Sequence, residues 1–298
     1  MKNIFVFGSL NVDLVIRAPY LPRAGETMHG DGFMINPGGK GANQAVACGK
    51  LGGNVFMGGC VGEDAFGQML LRSLRDNRVC ADAVRVLPQI SSGVAVITVV
   101  DGDNRIVLDA GANACADRSD VDNLLSRAKR GDIFLTQLEN KTEVIGYALA
   151  EAKKKGMFTI LNPAPATDEI VPWFPYVDVI VPNETEYEHY TKMREISVGK
   201  NIFFDAGIRR IVVTLGKKGY CSLTPTEIVC EDCVKAPVVD TTAAGDTFCG
   251  AFAVRLAEGA TVAEALRFAN SAAGLTVTRR GAQGSIPTRS EVKAKFNL

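Results

Sequence analysis

From residue 133 onward the chain alternates short, almost unbroken apolar runs with stretches of helical spacing, and that rhythm admits few architectures. The runs are Ile133–Phe134–Leu135, Phe158–Thr159–Ile160–Leu161, Val177–Asp178–Val179–Ile180–Val181 and Ile211–Val212–Val213–Thr214, with helical stretches at 120–128 and 144–155. A strand that is apolar at nearly every position has both faces buried, and a strand–helix–strand order joins parallel neighbours. The spacing therefore predicts an α/β fold with a central, mostly parallel sheet and helices on both faces. Residues 1–8, with Ile4, Phe5, Val6 and Phe7 contiguous, read as a buried strand, Val55–Phe56–Met57 as another and 65–76 as an amphipathic helix.

Strands near 12–36 and 91–109 break this rhythm. Bounded by Pro19, Pro22 and Gly25 and by the turn Asp101–Gly102–Asp103, they read as a small antiparallel patch, a lid inserted in a single α/β domain spanning 1–298. So few strands make a marginal sheet alone. Val12, Leu14 and Ile16 alternate on one strand, and Val94, Val96 and Thr98 on another. Open edges and apolar faces of this kind are normally covered. Pairing two lids about a two-fold axis predicts a homodimer.

Lys+Arg and Asp+Glu both number 33, so the formal net charge is zero and no basic block offers itself to nucleic acid or an anionic membrane. No apolar run approaches the roughly 20 residues of a membrane span. The first residues read as strand and not as a leader, so the chain is expected in the cytoplasm. Its eight cysteines are then expected as free thiols. Cys230 and Cys233 form one CxxC without a second Cys/His pair to complete a zinc site.

Chemistry concentrates in three segments. The strongest is Asp240–Thr241–Thr242–Ala243–Ala244–Gly245–Asp246–Thr247–Phe248, followed by a small, apolar stretch, 248–258, that reads as a buried helix. Small residues let the backbone turn sharply there. The loop then aims successive backbone N–H groups toward one point at a helix N-terminus, an anion site. Asp246 in the first turn is placed to take a hydroxyl proton while those groups stabilise a transferring phosphoryl. Taken alone the segment also reads as an ordinary helix cap. The second segment, Asn36–Pro37–Gly38–Gly39–Lys40–Gly41–Ala42–Asn43–Gln44, is glycine-rich at a loop-to-helix junction but lacks P-loop spacing. Its Asn43 offers a hydroxyl both a donor and an acceptor. The third, Gly8–Ser9–Leu10–Asn11–Val12–Asp13, brings Asn11 and Asp13 to the end of a buried strand, where α/β sheets present ligand groups.

Together these segments resemble the ribokinase/PfkB family of sugar kinases, nearly end to end. The likeness extends through Asn162–Pro163–Ala164–Pro165–Ala166, Pro182–Asn183–Glu184–Thr185–Glu186, Thr214–Leu215–Gly216–Lys217–Lys218–Gly219 and Thr278–Arg279–Arg280–Gly281–Ala282–Gln283. The resemblance implies transfer of the γ-phosphoryl group of ATP to a hydroxyl of a small sugar, ribose foremost, with Mg²⁺ accompanying ATP and K⁺ or a similar monovalent cation beside the anion hole. By the same resemblance Asn11, Asp13, Gly39, Lys40, Asn43 and Glu139 would line the sugar site. Asp246 would be the base, with Ala243, Ala244 and Gly245 as the anion hole. Asn183 and Glu186 would organise the magnesium–phosphate end, and Thr214, Gly216, Lys217, Gly219, Gly245 and Asn270 would lie along the nucleotide. Asp240, Ser285 and backbone oxygens of Thr242, Thr276, Arg279 and Gly281 would hold the monovalent cation. Two departures touch the nucleotide end: Asn270 stands where relatives often place His, and 192–208 is short for the family.

Other classes fit less well. A dehydrogenase needs GxGxxG after its first strand, which Gly8–Ser9 does not begin. With two histidines, His29 and His189, and neither HExxH nor GxSxG, metallohydrolase and triad chemistry lack their residues. A sugar-binding protein without turnover would not need Asp246. Relatives in the family use ribose, 2-deoxyribose, fructose or nucleosides. A single tryptophan, Trp173, and sparse aromatics offer no platform for a nucleobase acceptor, which favours a free pentose.

Overall fold

The computed structural model describes residues 1–296. In chain order the elements are β1 (Asn3–Phe7), β2 (Asn11–Arg17), β3 (Asp31–Gly38), α1 (Lys40–Lys50), β4 (Asn54–Gly62), α2 (Ala65–Asp76), β5 (Val79–Leu87), β6 (Gly93–Val100), β7 (Asp103–Asp109), α3 (Arg118–Leu125), β8 (Ile133–Thr136), α4 (Thr142–Lys154) and β9 (Phe158–Leu161). They continue as β10 (Val179–Ile180), α5 (Glu184–Thr191), α6 (Ile196–Gly199), α7 (Asn201–Asp205), β11 (Arg210–Thr214), β12 (Tyr220–Leu223), β13 (Ile228–Glu231), α8 (Ala244–Ala257), α9 (Val262–Thr276) and α10 (Arg289–Phe296). The short 192–208 segment is occupied by the small helices α6 and α7.

The strands form a nine-stranded sheet, ordered β13-β12-β11-β10-β9-β8-β1-β4-β5, and a separate four-stranded one, β3-β2-β6-β7. In the large sheet every pairing from β5 across to β11 is parallel, and only the β11–β12 and β12–β13 pairings at the edge are antiparallel. The apolar runs explain this. Along β1, Ile4 and Val6 enter one core with α1, α8 and α9, while Phe5 and Phe7 enter a second with α3 and α4. Successive side chains of a strand point to opposite faces, so a doubly covered sheet needs apolar residues at consecutive positions.

The lid departs from expectation in two respects. Its central pair, β2 and β6, is parallel, with Val12 opposite Val94 and Leu14 opposite Val96; only the β2–β3 and β6–β7 pairings are antiparallel. Val12, expected on an open face, is fully buried against the body of the fold. Exposed apolar side chains lie further out: Val96 and Val107, which are neighbours across β6–β7, and on the other face Ile106 and Leu108.

The expectation of eight free thiols also needs correcting. Cys221 and Cys230 face each other across the antiparallel β12–β13 pair and are disulfide-bonded. Six cysteines remain free, with Cys48, Cys60 and Cys249 buried. The pairing depended on recognising two edge strands that carry no helical connection between them. Among the described residues no helix is long and apolar enough to cross a membrane.

One packing detail positions everything that follows. Helices α1 and α8 cross closely because Gly250 lacks a side chain: a Cβ there would meet Ala47 Cβ at 2.6 Å and Gln44 O at 2.9 Å. The small apolar run 248–258 thus serves the approach of two helices as well as burial.

Candidate active site

The anion-hole segment enters α8 as the sequence suggests. Ala243 adopts a left-handed conformation at the cap, φ 60°, ψ 8°, and Asp246 falls in the first turn. That conformation is uncommon for a residue with a Cβ and marks a locally strained turn. The N–H groups of Ala243, Ala244 and Gly245 are not equivalent. Ala244 N donates to Thr241 O at 3.2 Å, so it is already engaged. Gly245 faces open space, since a Cβ there would meet no heavy atom within 4 Å; its lack of a side chain answers to no protein neighbour.

Asp246 is only 7% exposed. Asn43 Nδ2 donates to its Oδ2 at 3.0 Å and Gln44 Nε2 to its Oδ1 at 3.1 Å, both from the α1 side of the crossing. Burial raises the Asp246 carboxyl above the usual carboxylate range, Lys40, Asn43 and Gln44 oppose that rise, and Glu139 adds to it. Lys40 sits in the same field. Burial pulls its ammonium down, but Asp246, Glu139, Glu186 and Cys249 together hold it above its ordinary value.

The polar cluster next to Asp246 is assembled from three parts of the chain. Gly39 caps α1 with φ 85°, and a Cβ there would meet Asn11 N at 2.7 Å, so only glycine lets this turn close on β2. Glu139, in the loop after β8, accepts from Ser9 Oγ at 2.5 Å and from Lys40 N at 3.0 Å, which pins the loop to the start of α1. Asn11 Oδ1 accepts from Asn113 Nδ2 at 2.7 Å. Asp13 is pushed up to about 7, chiefly by burial and then by the charges of Glu139 and Asp246. Asn11, Asp13, Gly39, Lys40, Asn43 and Glu139, expected around one ligand, are therefore brought together.

On the other side of Asp246 a cavity of about 220 Å³, lined by Lys40, Asn183, Glu186, Thr241 and Gly245, opens into a groove of about 640 Å³. The groove takes in Asn183, Thr214, Gly216, Lys217, Gly219, Gly245 and Asn270, with Val238, Phe248 and Val277 as apolar wall. This volume is in the range of small-molecule sites. Asn183 and Glu186 form a reciprocal cap on α5: Glu186 N donates to Asn183 Oδ1 at 2.8 Å, and Asn183 N to Glu186 Oε2 at 2.9 Å. Burial raises the Glu186 carboxyl, partly offset by the Asn183 N–H and by Lys40. Asn270 is on the groove wall and donates to Asp232 O at 2.8 Å, tying α9 to the chain leaving β13.

The expected cation ligands are gathered in part. Asp240 Oδ1 accepts from Thr242 N at 2.9 Å and Thr242 Oγ1 at 2.7 Å, and its Oδ2 from Gly281 N at 2.9 Å. Against the effect of burial, these donors and Arg280 hold the Asp240 carboxyl below the usual range. Thr276 and Arg279 lie in the turn that ends α9, joined by Arg279 N to Thr276 O at 3.1 Å. Ser285 is not bonded to Asp240; its hydroxyl donates to Ala282 O at 2.7 Å.

Several contributors escaped the sequence reading. Gln44, Gln137 and Asn162 form a hydrogen-bonded chain leading to Asp246, and Asn113 orients Asn11. Gln44 and Asn162 stand inside quoted motifs, but nothing in a sequence says that an amide will meet a carboxylate 202 positions away. Asn113 had no local signal at all.

A buried carboxylate at a helix N-terminus, set between a nucleotide-sized groove and a polar cluster, is the arrangement of a phosphotransferase. The comparisons agree. The family model described as pfkB family carbohydrate kinase matches residues 1–289. A ribokinase of Schizosaccharomyces pombe is 39% identical over 314 residues, covering 100% of this chain and 99% of its own. A deoxyribokinase of Salmonella typhi is 36% identical over 303 residues, with 99% of each chain covered. The solved structure of Arabidopsis thaliana ribokinase complexed with ribose and ATP matches with a TM-score of 0.89 at 33% identity, covering 100% of this chain and 99% of that one. The chain belongs to the pfkB family of carbohydrate kinases, phosphotransferases that act on an alcohol group.

Asp13 yields a test of the site's electrostatics. Its folded value of about 7 lies above the ordinary carboxylate value of 3.8, so between those pH values the folded state holds a proton that the unfolded chain has released. The stability this group contributes is full below about pH 4 and is lost as pH rises through 7. Asp13→Asn escapes that loss. In urea titrations the variant should match the wild type at pH 4 and exceed it at pH 8 by on the order of 2–4 kcal/mol. Equal stability at pH 8 would contradict a buried, strained carboxylate.

Proposed function

We propose that the protein transfers the γ-phosphoryl group of ATP to the 5-hydroxyl of D-ribose, giving ribose 5-phosphate and ADP. The observation that carries this reading is Asp246, buried between the groove and the Asn11–Asp13 cluster and fixed by two amides. In this reading ATP lies in the groove along Thr214, Gly216, Lys217, Gly219 and Asn270, with its γ-phosphate toward Gly245. Ribose lies against Asn11, Asp13, Gly39, Asn43 and Glu139. Asp246 takes the hydroxyl proton as the oxygen attacks phosphorus. Lys40 and the free N–H groups at the start of α8 hold the charge on the transferring group. The lid, an insertion in one catalytic domain, keeps water from competing.

Mg²⁺ bound to ATP would neutralise phosphate charge. Among the described residues no three His, Cys, Asp or Glu side chains cluster to cage a metal; a magnesium held mainly by phosphates needs no such cage. Glu186 and Asn183 are the groups at that end of the cavity. For K⁺, Asp240 supplies a single ionised carboxylate, and Thr242, Thr276, Arg279, Gly281 and Ser285 supply neutral oxygens, a donor set that balances one positive charge. Six of the eight cysteines are free and the co-substrate is ATP, which supports a cytoplasmic setting. The Cys221–Cys230 bond is expected to be reduced there.

The deoxyribokinase relative supports 2-deoxyribose as a second acceptor. A site with buried carboxylate and amide groups discriminates against an analogue lacking a hydroxyl, because the site's polar atoms are left unpaired. ADP release measured across ribose, 2-deoxyribose and fructose should therefore give ribose the highest kcat/KM. Asp246→Asn should lower kcat by on the order of 10²–10⁴ with ATP binding preserved. Retention of more than about a tenth of kcat would remove Asp246 as the base.

Potassium should raise both activity and melting temperature relative to tetramethylammonium at equal ionic strength, since a ligand that binds only the folded state stabilises it. Identical values in the two salts would eliminate the cation site.

We further propose a homodimer through the lids. Val96 is 46% and Val107 73% exposed, an outward apolar surface on a sheet that is marginal by itself. Light scattering at micromolar concentration should give a dimer mass, and Val96→Asp should dissociate it and weaken sugar binding. A monomer mass, unchanged by sugar, would contradict the interface.

A further inference from the structure

We propose that Gln44 is a positioning residue for the phosphoryl transfer: its side-chain amide clamps one oxygen of Asp246 and thereby sets the direction in which the carboxylate meets the acceptor hydroxyl. This rests on the reading of Asp246 as the base. Gln44 is fully buried on α1, and it acts through Asp246, not on a substrate.

The geometry determines which end of the amide faces the carboxylate. The Val181 carbonyl can only accept, and Asn162 Nδ2 donates to it at 2.9 Å. Asn162 therefore presents its Oδ1 inward, where Gln44 Nε2 donates to it at 3.1 Å. The same nitrogen donates to Asp246 Oδ1 at 3.1 Å. At the far end, Gln137 Nε2 donates to Gln44 Oε1 at 2.6 Å. Both protons of the Gln44 amide and its oxygen are thus engaged, and the order of donors and acceptors descends from one backbone carbonyl. A reversed amide would set its oxygen against both a carboxylate and Asn162 Oδ1.

Asn43 and Gln44, consecutive on α1, grip the two oxygens of Asp246 separately. Each carboxylate oxygen keeps a further lone pair, and the clamp settles where those point. A carboxylate held by one amide alone would swing about that contact. Two charge-assisted bonds to a buried group fix its orientation and favour its ionised form. The titratable groups that also face Asp246 are Lys40 on α1, Asp13 on β2, Glu139 in the loop after β8, Glu186 on α5 and, kept neutral by burial, the Cys249 thiol on α8. Replacing neutral Gln44 leaves all of them in place, so its effect can be separated from theirs.

The test is the pH dependence of kcat in Gln44→Met, which keeps the length and apolar bulk of the side chain and removes both the donor and the acceptor. Losing a bond to the ionised carboxylate should move the acid limb of the profile upward by about one pH unit. On that limb kcat should fall about tenfold, recovering in part toward higher pH, with the KM for ATP unchanged. Gln137→Met removes only the contact that fixes Gln44 Oε1 and should shift the limb in the same direction by less. It also keeps the test alive if Gln44→Met folds poorly. A loss of kcat equal at every pH and accompanied by a lower melting temperature would assign Gln44 a packing role and overturn the inference. So would a wild-type profile in both variants. Failure of the base reading itself looks different, because Asp246→Asn would then stay active whatever Gln44 does.

Discussion

The site depends on one contact between distant parts of the chain: the carboxylate of Asp246, in the first turn of α8, held by Asn43 and Gln44 of α1. It exists because the two helices cross at Gly250, where any side chain would collide with Ala47 and the Gln44 carbonyl. The crossing is in turn held by the core on one face of the sheet, in which Ala45, Val46, Ala47, Ala251 and Phe252 are all buried. Substituting Gly250 would therefore alter the distance between the proposed base and its supports, which lie 203 and 202 positions away in sequence.

The same crossing concentrates charge where water is scarce. Glu139, Glu186 and Asp246 surround Lys40, Asp13 faces Glu139 and Asp246, and the carboxyls of Asp13, Glu186 and Asp246 are raised above the range they would show in water. Buried like charges destabilise a fold. Here the burden falls beside the left-handed turn at Ala243, so strain and repulsion gather at one place. In the proposed reading, sugar hydroxyls that donate to Asp13 would compensate the burial of its carboxyl.

Much of this was legible in the sequence, for physical reasons that differ by element. The parallel sheet was readable because doubly buried strands must be apolar at consecutive positions, as in Phe5–Val6–Phe7. The segment around Asp246 was readable because tight turns and close helix contact demand small residues in a row. The lid's parallel β2–β6 pairing was not, since strand direction between distant segments depends on the path of the chain and leaves no mark on periodicity. The Cys221–Cys230 pair was missed because edge strands such as β13 are short and partly exposed. The amide chain Gln137–Gln44–Asn162 was missed for a third reason. Amides are common on surfaces and in cores alike, and only their mutual geometry distinguishes a scaffold from a solvated side chain.

The central claim is that the sugar oxygen, stripped of its proton at Asp246, attacks the γ-phosphorus of ATP. The most direct measurement uses ribose carrying ¹⁸O in its 5-hydroxyl, incubated with the protein, magnesium and ATP, with products analysed by mass spectrometry and ³¹P NMR. The mechanism predicts ribose 5-phosphate with the ¹⁸O retained in the bridge between carbon and phosphorus, one ADP formed for each ester. An ester on another hydroxyl, loss of the label to solvent, or free phosphate in place of sugar phosphate would contradict it.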